Sequence, residues 1–156
     1  MGIAYLERVQ AFCTWAEGSE HTLLEARQHL VALMQGIPEI LSYRVYALDD
    51  EFDDPERRGF EGWKIDHGRF SDLPFQFYAC SFDPIDLDGD SVVTGDLFDD
   101  LADVYGELYV GLQASLIGTP DAGLAMIVNS YFDHWGQHAS QALNAIDAHY
   151  RKENKA

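Results

Sequence analysis

The sequence predicts an all-α protein, a bundle of four or five helices with an aromatic-rich irregular crossover between the third and fourth helices. Apolar residues recur at helical spacing over most of the chain. Residues that cap helices precede several of these stretches, and glycine or proline follows them. With 156 residues, of which 47% are hydrophobic, the chain has the length of one domain and enough apolar side chains for a core. We therefore expect a single helical domain over residues 1–156.

The first part of the chain predicts two helices and the start of a third. Apolar side chains repeat at helical spacing over residues 3–16 and again over residues 23–37. Thr22 and Glu25 have the spacing of a capping box at the start of the second helix. The short link between the two helices predicts an antiparallel pair, and a short third helix begins near Pro38.

Residues 49–83 form the least regular part of the sequence. Acidic side chains and prolines interrupt any long periodic pattern there. Because each aromatic side chain offers a large area for burial, we expect this segment to wrap over the bundle in short helical or extended pieces. Its large aromatic residues are Phe60, Trp63, Phe70, Phe75, Phe77, Tyr78 and Phe82.

The fourth predicted helix has apolar residues at helical spacing over residues 97–116. Thr94 has the position of its N-cap. Gly106 and Gly111 lie inside the helix, where each glycine costs about 1 kcal/mol relative to alanine. We therefore expect another helix or an aromatic ring to approach this helix closely at the glycines.

The fifth predicted helix is the longest and contains the most concentrated set of polar residues. It begins with Thr119 as its cap and Pro120 in its first turn, and it extends to about Tyr150. Inside it, His134 and His138 are one helical turn apart. At about 100° per residue, His138 falls within the apolar stripe of this helix and His134 at its edge, so His138 is expected to be buried.

The fourth helix offers partners for these histidines. Asp100, Asp103 and Glu107 are spaced by three and four residues, so they share one helix face. Antiparallel packing of the fourth and fifth helices would bring these acids to the two imidazole rings. The predicted polar cluster consists of Asp99, Asp100, Asp103, Tyr105, Glu107, His134, Trp135 and His138.

Two interpretations of this cluster are open at this point. In the structural interpretation, Trp135 packs opposite a glycine of the fourth helix, and the histidines hydrogen-bond to acids or backbone carbonyls and fix the helix register. In the metal interpretation, the two histidines bind one divalent transition ion, with Asp100 and Asp103 completing the ligand set. Imidazole and carboxylate ligands favour zinc or iron, and no other cofactor is expected. No nucleophile is spaced with the histidines, so no catalytic residue is predicted.

Acidic residues dominate the charge of the chain. There are 27 Asp and Glu against 10 Lys and Arg, a formal net charge of −17. Repulsion therefore argues against contacts with nucleic acid phosphates or an anionic membrane. A basic protein partner would be complementary, and it would meet the acidic residues 49–56 and 83–103. A weaker alternative is an acidic inhibitor or nucleic-acid mimic, and the oligomeric state is open, with a dimer as one option.

The ends of the chain and its cysteines bear on location. The N-terminus has no basic stretch followed by an apolar run, so no signal peptide is expected and the cytoplasm is the expected location. Cys13 and Cys80 lack the spacing of a metal or redox motif. We expect both thiols to be reduced and buried.

Three motifs occur in order in the second half of the chain. Tyr78 precedes a Phe-Asp-Pro turn, and residues 99–105 read acid-acid-Leu-Ala-acid-aliphatic-Tyr. A His-Trp-Gly-x-His stretch, residues 134–138, leads to an Ala-Leu pair. In this combination the sequence resembles a bacterial family catalogued as domain of unknown function 5063, although residues 59–70 depart from its pattern. The resemblance implies a helical protein without an assigned activity, in which the acids and the His-Trp-Gly-x-His stretch belong to one unit.

Charge, helices and resemblance together predict the class of function. The leading hypothesis is a non-enzymatic interaction or regulatory protein of the bacterial cytoplasm, because the acidic surface is the strongest feature of the composition. The alternative hypothesis is a metal-binding protein that uses His134 and His138 with facing carboxylates. These two hypotheses differ in whether the histidines bind an ion or only hold two helices together.

Overall fold

The computed structural model describes residues 2–44, 59–89 and 92–154, and these residues are mostly helical. The predicted all-α class is confirmed. The helices are α1 (Gly2–Ala16), α2 (Leu23–Gln35), α3 (Ile37–Ile40), α4 (Phe60–Arg69), α5 (Leu97–Ile117), α6 (Pro120–Ser130) and α7 (Gly136–Glu153). A 3-10 turn, Leu41–Tyr43, follows α3, and a π-helical turn, Tyr131–Trp135, joins α6 to α7. Two short strands, β1 (Phe77–Cys80) and β2 (Val93–Asp96), form an antiparallel pair.

Helices α1 and α2 form the predicted antiparallel pair. The Tyr5 hydroxyl near the start of α1 donates to the Leu33 carbonyl near the end of α2, at 3.0 Å. At the other end of the pair, the Trp15 indole donates to Glu25 at 3.0 Å. The predicted capping box is present, because the Thr22 side chain accepts from the Glu25 backbone and the Glu25 side chain accepts in return.

Helix α5 lies at the centre of the molecule and contacts α1, α4, α6 and α7. It corresponds to the fourth predicted helix, but its N-cap differs from the prediction. The Asp96 carboxylate accepts from the backbone N–H groups of Phe98 at 2.9 Å and Asp99 at 3.3 Å. Thr94 cannot be the cap because it lies inside β2, two residues earlier. A carboxylate at this place also suits the positive end of the helix dipole.

The crossover contains the short helical and extended pieces that its composition predicts. Helix α4 packs on α5, and β1 then pairs with β2 in a register that places Phe77 opposite Asp96. Phe70 is fully buried, but Phe60, Phe77 and Phe82 are exposed, so the aromatic side chains are not all buried. Residues 49–58, including the acidic run 49–56, lie outside the described residues.

The two interior glycines of α5 have different surroundings. A Cβ atom on Gly111 would lie 2.4 Å from a side-chain carbon of Ile127, so the glycine permits the close approach of α6 that the sequence predicts. A Cβ atom on Gly106 would meet nothing within 4 Å, so the prediction of a close approach is wrong there. Trp135 does not pack opposite Gly106, and the nearest atoms to Gly111 come from Ile127 and Gly123.

Both cysteines are free thiols, as the sequence predicts. Cys13 is buried, and burial raises the pKa of its thiol to about 12, which makes it a poor nucleophile. Cys80 is only half-buried, so its predicted burial is too strong. None of the helices in the described ranges combines the length and the apolar character that a membrane span requires.

Candidate metal centre

The acidic side of the site comes from one face of α5. Asp100, Asp103 and Glu107 follow one another at intervals of three and four residues, which places their side chains on the same side of the helix. The side chain of Asp100 is only 4% exposed, whereas that of Asp103 is 22% exposed. The face therefore runs from a buried carboxylate near the helix start towards more open ones.

The histidine side comes from the π-helical turn and the first turn of α7. Trp135 is fully buried and its indole donates to the Ile127 carbonyl at 2.9 Å, which anchors the turn in the core. A Cβ atom on Gly136 would lie 2.5 Å from the Tyr131 carbonyl oxygen, so this position tolerates only glycine without movement. Single π-helical turns are frequent at functional sites. This turn holds His134, and His138 follows one turn later.

The Nδ1 atoms of both imidazole rings face carboxylates of α5. His138 Nδ1 lies 2.8 Å from Asp100 Oδ1, and His134 Nδ1 lies 3.1 Å from Glu107 Oε1. Because an ionised carboxylate only accepts hydrogen bonds, both Nδ1 atoms donate. In the neutral form of each ring, the lone pair then lies on Nε2. Metal-bound histidines commonly have this second hydrogen bond to a carboxylate, which fixes the orientation of the ring.

The Nε2 atoms of both rings converge on one carboxylate oxygen. Asp103 Oδ2 lies 3.3 Å from His138 Nε2 and 3.8 Å from His134 Nε2. Ligand atoms of the three residues lie within 4.8 Å of one another. Ligands at 2.0–2.1 Å from a tetrahedral zinc ion are about 3.3 Å apart. The pair formed by His138 and Asp103 has this separation, whereas the His134 ring would have to move closer to Asp103 to bind the same ion.

Two further side chains hold the outer shell of this cluster. The Tyr78 hydroxyl on β1 donates to Asp100 Oδ2, so Asp100 is hydrogen-bonded from both sides. The Trp63 indole on α4 donates to Asp99 Oδ1 at 2.9 Å. The crossover thus contributes a hydrogen-bond donor to each of these two acids of α5.

Burial and charge shift the ionisation of the cluster. Burial raises the pKa of Asp100 above its ordinary value, although the hydrogen bonds from His138 and Tyr78 act in the other direction. Burial also raises the pKa of Asp103, and the nearby charge of Asp99 adds to this effect. Burial alone would lower the pKa of His138, but its hydrogen bond to Asp100 and the charge of Asp103 outweigh burial and raise it. The site therefore has an excess of negative charge that a cation would relieve.

A cavity of about 130 Å³ lies beside the cluster, between α4 and α5. It reaches two members of the convergent set, Asp103 and His134. The side chain of His134 is 43% exposed and that of His138 is 21% exposed, so the open side of the cluster is at His134. The cavity is lined by Trp63, Asp66, Ala102, Asp103, Gly106, Glu107, Val110 and His134.

The structure brings together most, but not all, of the residues in the predicted cluster. Asp100, Asp103, Glu107, His134 and His138 meet directly, and Asp99 lies beside them.

Tyr105 lies outside the cluster, because its hydroxyl donates to Glu17 at 2.8 Å on another side of α5. Trp135 also lies outside, since its indole bonds within the core. In the predicted ligand set, Asp103 faces the Nε2 atoms, whereas Asp100 occupies the outer position on Nδ1.

Sequence reasoning missed three contributors, namely Tyr78, Trp63 and Asp66. Tyr78 was visible as part of a motif, but its contact with Asp100 joins residues 22 positions apart. Trp63 and Asp66 lie in the segment with the weakest pattern.

The predicted surface for a basic partner, residues 83–103, has two different parts. Asp83, Asp86 and Asp88 are exposed, whereas Asp100 and Asp103 face histidines.

Comparison with known proteins supports the resemblance. A family model described as Domain of unknown function (DUF5063) matches residues 73–152, about half of the chain. The chain belongs to this family, and the match includes β1, α5 and both histidines. The crystal structure of protein BF1032 from Bacteroides fragilis is similar with a TM-score of 0.67 and 17% identity, over 93% of this chain and 89% of that chain. This likeness concerns the fold alone. A search of the curated proteins finds no match.

Proposed function

We propose that this member of the family is a metal-binding protein, and that it holds one divalent transition ion between α5 and the last helix. The ligands are His134 Nε2, His138 Nε2 and a carboxylate oxygen of Asp103. The observation that carries the proposal is the convergence of both Nε2 atoms on Asp103 Oδ2, at 3.3 and 3.8 Å. Two histidines that only stabilised a helix pair would not need to share one acceptor atom.

The outer shell supports the same proposal. Both Nδ1 atoms are engaged by carboxylates, Asp100 for His138 and Glu107 for His134. Such partners fix the ring and raise the basicity of the ligating nitrogen, and their removal typically weakens metal binding about 10–100-fold. Asp100 is in turn held by Tyr78. The ligands are therefore preorganised before an ion binds.

The donor set points to zinc or iron(II). Two imidazole nitrogens and one carboxylate oxygen are the ligands of catalytic zinc sites and of iron(II) sites with open positions. A soft ion such as copper(I) is disfavoured, because no thiolate or thioether belongs to the set. Three protein ligands leave at least one coordination position for water or another molecule.

The experiment that tests the proposal is a metal titration of chelator-treated protein. We expect about one equivalent of Zn²⁺ or Co²⁺ to bind per chain. The double variant His134→Ala/His138→Ala should lose this binding, and Asp103→Asn should weaken it by at least about tenfold. The matched control is His149→Ala. His149 is a half-buried histidine that lies on α7 with His138, and its ring stacks on Phe75.

The outcome that overturns the proposal is binding of less than about a tenth of an equivalent by the folded wild-type chain. Equal binding by wild type and the double variant would overturn it as well, because the ion would then be held elsewhere. Circular dichroism of each variant shows whether the helices are retained. If the double variant does not fold, Asp103→Asn decides, because it changes one oxygen to nitrogen at a half-exposed position.

A further inference from the structure

We infer that residues 81–88 and the facing side of α7 form a docking surface for an extended segment of another protein that alternates basic with apolar side chains. The inference goes beyond the proposed metal site and uses none of its ligands. It joins three observations: a cleft beside α7, apolar side chains that lie in solvent next to the cleft, and the carboxylates that alternate with them.

A cleft of about 400 Å³ lies between α7 and the chain that follows β1. The Gln137 carboxamide on α7 donates to the Phe82 carbonyl at 3.1 Å. Further along α7, the His149 ring stacks on Phe75 with the two ring centroids 5.0 Å apart. These two contacts hold the chain against α7, so the walls of the cleft are fixed relative to each other before a partner binds.

The wall formed by α7 presents side chains that hydrogen-bond without carrying charge. Gln141 and Asn144 line the cleft, and Ser140 lies beside them. Each carboxamide can both donate and accept, as a peptide group does. An extended segment offers its backbone N–H and C=O groups to such side chains, whereas those of a helix are already paired. The cleft therefore favours an extended protein segment.

Apolar side chains next to the cleft lie in solvent. Ile85 is 87% exposed and Leu87 is 93% exposed, and Phe82 is exposed as well. Pro84, which stands between Phe82 and Ile85 in the sequence, lines the cleft. Single exposed apolar residues are ordinary, but several together are typical of interaction sites. A segment bound in the cleft can bury these side chains by placing apolar residues of its own against them.

Carboxylates alternate with these apolar side chains. Asp83, Asp86 and Asp88 are all exposed. Asp83 accepts from the Ile85 backbone N–H at 3.0 Å, and Asp86 accepts from the Asp88 backbone N–H at 3.1 Å. Two consecutive local turns of this kind fix the carboxylates beside the apolar residues. The loop therefore presents both kinds of group together.

The charge of the surrounding sequence selects the partner. No lysine or arginine occurs between Arg69 and Arg151, a stretch that includes both walls of the cleft. The chain as a whole has a net charge of −17. Complementary charge across an interface favours the matching partner and disfavours one of like charge. A cationic segment is therefore preferred over an anionic one, and the alternation of the loop suits a segment that alternates in the same way.

The test measures the binding of labelled peptides to the full chain by fluorescence anisotropy. The probe is a short capped peptide that alternates lysine with valine. One comparison peptide alternates lysine with serine, and the other alternates glutamate with valine. We expect the lysine–valine peptide to bind at least about tenfold more tightly than either comparison peptide. Its affinity should fall as salt is raised, because the acids are exposed.

Two variants separate the charge of the loop from its apolar side chains. Asp83→Asn/Asp86→Asn/Asp88→Asn removes the charge and keeps an oxygen atom that can accept in each turn. We expect it to raise the Kd of the lysine–valine peptide about five- to tenfold. Ile85→Ser/Leu87→Ser removes the apolar contacts at two exposed positions, and we expect it to raise the Kd at least about tenfold.

A third variant tests the cleft itself. Gln141→Ala/Asn144→Ala removes both carboxamides from the wall formed by α7, and we expect it to raise the Kd about three- to tenfold. This variant also shows whether the peptide uses the cleft or only the loop. Circular dichroism of every variant checks that the helices are retained.

Matched controls change the same kinds of side chain elsewhere on the molecule. Glu7→Gln/Glu20→Gln/Asp121→Asn removes three exposed acids that do not line the cleft. Leu116→Ser/Ile117→Ser removes two exposed apolar residues at the end of α5. Both controls should leave the Kd of the lysine–valine peptide near the wild-type value.

The inference is supported if the three peptides and the variants follow this order. It is overturned if the lysine–valine peptide does not saturate the wild-type chain below about 1 mM. Equal binding of the lysine–serine peptide would reduce the interaction to general charge, and equal binding of the glutamate–valine peptide would remove the charge argument. If the loop and cleft variants bind like wild type, or the controls lose as much affinity, the peptide binds elsewhere and the surface is wrongly assigned.

Discussion

Two histidine centres in this molecule use similar contacts in different arrangements. His21 lies between α1 and α2, with Nδ1 at 3.1 Å from Asp72 and Nε2 at 3.1 Å from the carbonyls of both Trp15 and Ala16. Its side chain is 1% exposed. At the second centre, His134 and His138 each donate one nitrogen to a carboxylate and direct the other to Asp103.

The difference lies in what the second ring nitrogen faces. In His21, both nitrogens face acceptors only, two of them backbone carbonyls at the end of α1, so the ring caps that helix and every contact is used within the protein. At the second centre, two nitrogens share one oxygen atom on a surface that a cavity reaches. Under the proposed function, the separate acceptors of His21 serve the fold, whereas the two rings that converge on one oxygen of Asp103 would share an ion.

The largest expected effect is on stability at His21. His21→Ala removes a buried ring between Trp15 and Phe70 and leaves the Trp15 and Ala16 carbonyls without their donor. We expect the free energy of unfolding to fall by about 2–3 kcal/mol in urea denaturation. The control is His29→Ala. The His29 ring also packs on Trp15, and its removal should lower the free energy of unfolding by less.

The same variant should retain the metal stoichiometry of wild type, because His21 is not part of the convergent set. Loss of metal from folded His21→Ala protein would break the distinction between the two centres. A stability equal to that of wild type would show that the cap at the end of α1 contributes little.

The next effect is on metal affinity through Asp100. Asp100→Asn keeps the shape of the side chain but removes the charge that His138 Nδ1 faces at 2.8 Å. We expect the affinity for Zn²⁺ to fall about 10–100-fold, with the stoichiometry kept. A competition titration against a chromophoric chelator measures this.

Asp99→Asn is the matched control for Asp100→Asn. It removes a charge one residue earlier in α5, where the carboxylate accepts from Trp63 instead. Its effect on affinity should be smaller. Equal losses in the two variants would mean that general charge, and not the position on Nδ1, supports the site.

A smaller effect is expected at Tyr78. Tyr78→Phe removes the hydroxyl that donates to Asp100, and Asp100 then keeps its contact with His138. We expect metal affinity to fall a few-fold, roughly 2–5-fold, because this partner is one step further from the ion. Tyr150→Phe, at an exposed position near the end of α7, is the control. A loss of metal affinity larger than that in Asp100→Asn would contradict the placement of Tyr78 one step further from the ion than Asp100.

The smallest effect is expected at Asp72, in how steeply the free energy of unfolding falls at low pH. Burial acts to raise the pKa of Asp72, but hydrogen bonds from the backbone N–H and the ring of His21 outweigh it and lower the pKa. A carboxyl with a lowered folded-state pKa stabilises the protein above its unfolded pKa of about 3.9, and this contribution is lost as the pH falls through the folded value.

Asp72→Asn should therefore flatten the loss of stability below about pH 4, with little dependence on metal. Urea denaturation at several pH values measures this slope. Glu20→Gln, an exposed acid next to His21 in the sequence, is the matched control. If stability falls as steeply at low pH in Asp72→Asn as in wild type, the contact between His21 and Asp72 does not lose its contribution through protonation of this carboxyl.

Much of the fold could be predicted because it depends on local signals. The capping box at Thr22 and the cap at Thr119 were confirmed, since each depends on residues within three positions. The strand pair could not be predicted, because β1 and β2 pair across a long connection and carry no strong alternation. The error at Thr94 follows from it, since β2 extends as far as Asp96 and moves the cap to that residue.

The sequence by itself determined which residue types stand on each helix face. Intervals of three and four residues place three acids on one side of α5, and four residues separate the two histidines. Only the tertiary structure decided which acid faces which ring nitrogen. That depends on how α5 packs against α6 and α7, with Gly111 of α5 permitting the close approach of Ile127 on α6, and on the π-helical turn before α7. Helical periodicity sets direction within one helix, whereas convergence of atoms from two helices requires their packing.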